Sequence, residues 1–156
     1  MKYRAAVNVL LELLFGDTSA DYLRLYDQGI IDDTFGYDFE LQSGFNFVTF
    51  SGETDDPAQF DAAIIDVLEN WRTAVVGQEA ALALVKKEMI GRVVFMANSL
   101  EAIANRYDQR LFGTATIFDE PGIIDQLTLA DLQTVAEQLL TSQAISEYQI
   151  RPQAKS

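Results

Sequence analysis

The chain has 156 residues, with 11 Lys+Arg against 24 Asp+Glu and a formal net charge of −13 at pH 7. So acidic a balance argues against nucleic acid or an anionic membrane surface as partner, because both are held mainly through Lys and Arg. There is no His and no Cys, which removes the commonest zinc, iron and copper ligands, every Ser-His or Cys-His nucleophile and any disulfide framework.

With 49% hydrophobic and 22% charged residues, the chain is too apolar for disorder. A chain of this size can bury roughly 70% of its unfolded surface, so one globular domain over residues 1–156 is expected. The opening MKYRAAVNVLLELLFG has a short apolar run that ends at Asp17 with no small-residue cleavage site. It reads as neither signal peptide nor membrane span. The lack of Cys fits a reducing compartment, and a cytoplasmic location is expected.

From Lys2 to Phe15 the residues predict a helix that is apolar nearly all round, as a buried element requires. No Ser, Thr, Asp or Asn precedes it, and a core helix without a start cap suggests a segment cut from something longer. Gly16 ends it. Asp17, Thr18 and Ser19 offer a cap for a short amphipathic helix through Tyr22, Leu25 and Tyr26, closed by Gly29. Over residues 34–41 the period becomes two, with Phe35, Tyr37, Phe39 and Leu41 on one face. Ser43-Gly44 signals a two-residue turn, and FNFVTFS is the returning strand of a hairpin.

Asp55 or Asp56 caps the next helix, with Pro57 at its first position and Phe60, Ala63, Ile64, Val67, Leu68 and Trp71 on one stripe. After Gly77 a long helix carries Leu82, Val85, Met89, Val93 and Met96. A break near Asn98-Ser99 starts another, with Leu100, Ile103, Ala104, Tyr107 and Leu111. Asp119-Glu120-Pro121 opens a short helical turn. Thr128 and Asp131 form a capping-box-like T-x-x-D ahead of Leu129, Leu132, Val135, Ala136 and Leu139. A third strand is expected over residues 144–150. The pattern is thus α+β: an antiparallel sheet of three readable strands with about six helices. So few strands leave open edges, which natural domains seldom tolerate. Further strands, or a partner domain, are expected from outside the segment or from another chain.

No convergent catalytic set is visible. The acidic pairs Asp32-Asp33, Asp55-Asp56 and Asp119-Glu120 each precede a predicted element, where capping and dipole complementarity account for them. None has calcium-loop spacing. Lys86-Lys87 reads as a solvated helix face, and Tyr22, Tyr26, Tyr37 and Tyr107 as core residues with hydroxyls at the rim. The glycines form no phosphate-cradling loop. No catalytic, cofactor-binding or metal-ligating residue is therefore assigned.

The phrases LLELLFGDTSADYLRLYDQGIID, SGETDDPAQFDAAIIDVLENW, VKKEMIGRVVFMANSLEAIANRY and IIDQLTLADLQTVAEQLL, in this order, resemble the non-catalytic domain of the pitrilysin/insulinase-like zinc peptidase superfamily. The likeness is greatest to its bacterial zinc-protease branch and runs over about residues 4–152. It implies paired half-clamshell chains built from homologous α+β domains, of which only the first carries the inverted zinc motif H-x-x-E-H. That motif needs His, so zinc is expected only in a catalytic domain outside this segment. In the family pattern the later domain often adds an Arg and a Tyr that bind the substrate carbonyl. Laid on that pattern, LYDQGIIDD has Tyr26 in place of the Arg and Asp32 in place of the Tyr, so the pair is absent. The family domain also begins with strands ahead of its first long helix, and the resemblance implies that this segment is N-terminally truncated.

The expected role is a structural wall of a substrate chamber, packed on the catalytic domain of the same or a paired chain and inactive by itself. Contact with a peptide substrate would come by strand addition at the open hairpin edge. The fragment would self-associate, with a homodimer as the simplest closed form. The alternative is a stand-alone interaction module derived from the peptidase fold, its acidic surface suited to a basic protein.

Overall fold

A computed structural model describes residues 1–99, 101, 113–140 and 145–151 of the chain. Helix α1 (Lys2–Phe15) forms because 14 residues without Gly or Pro carry apolar side chains on every face. It is the axis of the molecule. Val7, Val9, Leu10 and Leu14 are fully buried, and α1 touches most of the other elements. No side chain caps its start, in keeping with the sequence.

At its other end the chain turns sharply. A Cβ on Gly16 would lie 2.4 Å from the Glu12 carbonyl oxygen, so only glycine fits. Ser19 then joins two helices: its hydroxyl donates to the Leu14 carbonyl at 2.9 Å and accepts from the Tyr22 amide at 3.1 Å, capping α2 (Ala20–Asp27).

Strands β1 (Gly36–Gln42) and β2 (Phe45–Ser51) pair antiparallel, with Tyr37 opposite Phe50, Phe39 opposite Val48 and Glu40 opposite Phe47. The turn uses Gly44 at φ 101°, a left-handed conformation that costs glycine nothing. Alternation places Tyr37, Phe39, Val48 and Phe50 on the face toward α1. There Phe15 meets Phe50 at 4.8 Å, Phe35 at 6.0 Å and Tyr37 at 6.1 Å between ring centroids. This aromatic cluster fastens the hairpin to the end of α1.

Asp56 caps α3 (Pro57–Glu69), accepting from the Gln59 amide at 3.1 Å, with Pro57 at the first position as expected. The apolar stripe through Phe60, Ile64 and Val67 is buried and continues to Trp71, which opens α4 (Trp71–Val75). Helix α5 (Glu79–Met96) crosses α1 and packs on α6 (Glu120–Asp125). It stops before Asn98-Ser99, as read from the sequence. The apolar positions of the helix expected beyond that break, Leu100, Ile103, Ala104, Tyr107 and Leu111, lie outside the described residues.

Helix α7 (Leu129–Leu140) returns along α1 and α4. Its capping box forms: the Thr128 hydroxyl accepts from the Asp131 amide at 3.3 Å, and the Asp131 carboxylate accepts from the Thr128 amide at 3.0 Å. Lys2 reaches the same carboxylate at 2.7 Å, tying the start of α1 to the start of α7.

The class is α+β, with seven helices and two strands among the described residues. The third strand expected over 144–150 is a correction. Residues 145–150 form no ladder, and Ile145, Tyr148 and Ile150 stand 65%, 88% and 87% exposed. Their spacing of three and then two puts no continuous apolar face on a strand, and β structure exists only through a partner.

Candidate functional site

Glu12 is the one carboxylate on the mostly apolar α1, and it is buried. A buried carboxylate is tolerated only when hydrogen-bonded and paired, and Glu12 gathers partners from two other elements. Arg92 of α5 approaches it as a fork, Nη2 to Oε1 at 2.7 Å and Nη1 to Oε2 at 3.2 Å. The Tyr37 hydroxyl of β1 donates to Oε2 at 2.9 Å. Arg92 also pairs with Glu88 one turn earlier on α5.

These groups border a small cleft of about 150 Å³, completed by Asn8, Asp38 and Met89. Burial, then the adjacent Glu12 carboxylate, pushes the Tyr37 phenol well above its ordinary value. A phenol so held remains protonated and cannot serve as a base. The Arg92 guanidinium is likewise fixed in its charged form by hydrogen bonds from Arg92 to Glu12 and Glu88. The cluster therefore clasps α1, β1 and α5 together and offers no free acid, base or nucleophile.

The residues singled out in the sequence are scattered. Asp32 accepts from the Thr34 amide at 2.8 Å and the Thr34 hydroxyl at 2.5 Å, a local turn that lowers its carboxyl below the ordinary value. Asp33 accepts from the Tyr26 hydroxyl at 3.0 Å. Tyr26 and Asp32 thus engage different partners. Asp119 bonds back to Thr116, at 2.7 Å to its amide, rather than into α6.

Lys86 differs from its solvated reading. Its ammonium donates to the Leu127 carbonyl at 3.0 Å and to the Asp125 carbonyl, satisfying acceptors left over where α6 ends. The sequence signal missed here was the ending of α6 shortly before the Thr128 cap, which leaves carbonyls that a lysine can reach. Beside it, a shallow groove of about 420 Å³ runs between α5 and α7, floored by Leu82, Ala83, Leu129 and Ala130.

The donor set does not fit a catalytic zinc. The sequence has no His or Cys, and among the described residues no three carboxylates converge as metal ligands. No described helix is long and apolar enough to cross a membrane.

No protein-family model matches the chain. Over 154 residues, 99% of the chain, it is 32% identical to the uncharacterised zinc protease YmfH of Bacillus subtilis. Its fold superposes on a crystal structure described as an M16-like peptidase from Alicyclobacillus acidocaldarius, with a TM-score of 0.77, 25% identity and 88% of the chain covered. In sequence and fold the chain is related to the pitrilysin-like zinc peptidase superfamily. It spans 36% of the length of YmfH and 33% of the Alicyclobacillus chain, about a third of each pitrilysin-like relative.

Proposed function

We propose that this segment is a non-catalytic domain of a pitrilysin-like peptidase assembly, forming a wall of the substrate chamber and supporting a catalytic domain carried elsewhere. The observation that carries the reading is the absence of histidine from all 156 residues in a chain that aligns with a third of a zinc protease. The inverted zinc motif of the superfamily needs two histidines, so its zinc and its general base belong to another part of the assembly. The Glu12–Arg92–Tyr37 clasp supports the same reading, because its polar groups are consumed in holding helices and hairpin together. By itself the segment binds no catalytic zinc and cleaves no peptide.

The test is the size of the native polypeptide, recovered from its source cells with an antibody to this segment and sequenced by mass spectrometry. A species far heavier than 17.4 kDa whose additional peptides contain His-x-x-Glu-His is the expected result. Chelator-sensitive peptide cleavage by the purified 156-residue chain would defeat the proposal. So would a native polypeptide of this length alone, which would turn the reading to an independent interaction module.

A further inference from the structure

We draw no further inference here: the strongest candidate, the shallow groove between α5 and α7, carries nothing, because its Lys86 and Thr128 are already engaged by the Asp125 and Leu127 carbonyls and by Asp131 and nothing in the structure shows what covers it.

Discussion

At the scale of single residues, the Glu12 carboxylate is the most exacting requirement in the molecule. It lies within the apolar axis and depends on two partners distant in sequence, Tyr37 and Arg92. Arg92→Ala would leave a buried carboxylate with one hydroxyl donor. Because the arginine side chain is itself 50% exposed, the cost falls below that of a fully buried pair, at about 2 kcal/mol. Urea denaturation should give that loss, and Glu12→Gln, which keeps a neutral acceptor, should cost about half as much. Tyr37 provides a second measurement. Its folded-state phenol is raised above the ordinary value of 10.0, so the folded chain holds that proton more tightly than the unfolded one. The associated stability is complete below pH 10 and declines as pH rises past it. A phenolate absorbance titration should accordingly leave one tyrosine un-ionised until the protein unfolds, and Tyr37→Phe should remove that late step.

At the scale of elements, local chemistry decides most of what forms. Thr128 and Asp131 cap α7 reciprocally, so Thr128→Ala should cost about 1 kcal/mol in chemical denaturation. Asp131 is also held below its ordinary value by Lys2 and by the Thr128 amide. Its contribution is present above pH 3.8 and is lost as pH falls. A T128A variant should therefore show a smaller loss of stability on acidification. The same kind of signal made α1, α2, the hairpin and α3 legible from residues alone: Ser19, Gly44, Asp56 and Pro57 each act within a few positions of themselves. What was not legible depends on distance. At residues 145–150 the apolar letters are spaced by three and then two, a weak strand pattern, and no such pattern can supply the neighbour a strand needs. The clasp was hidden similarly, since 80 positions separate Glu12 from Arg92. A lone carboxylate amid Val9, Leu10, Leu11, Leu13 and Leu14 was nevertheless a cue that a cation would arrive from elsewhere.

At the scale of the whole molecule, cohesion runs through α1, which is in contact with α2, β1, α4, α5, α6 and α7. Few of the remaining elements have an equal share in the core. Backbone amides of Val9, Leu10 and Leu11 should exchange with deuterium only through global unfolding, while those of β2, with an open edge, should exchange by local opening. Comparable exchange rates in α1 and β2 would contradict this ordering. The position of α1 in the chain also matters during synthesis. Its last neighbour, α7, begins at Leu129, more than 100 residues after α1 ends at Phe15. On a ribosome, a helix apolar on nearly every side must therefore emerge early and wait for the element that covers it. Throughout that interval the earlier elements can already cover part of α1, as the hairpin does at Phe15, while the side that α7 covers stays open to the surrounding solution.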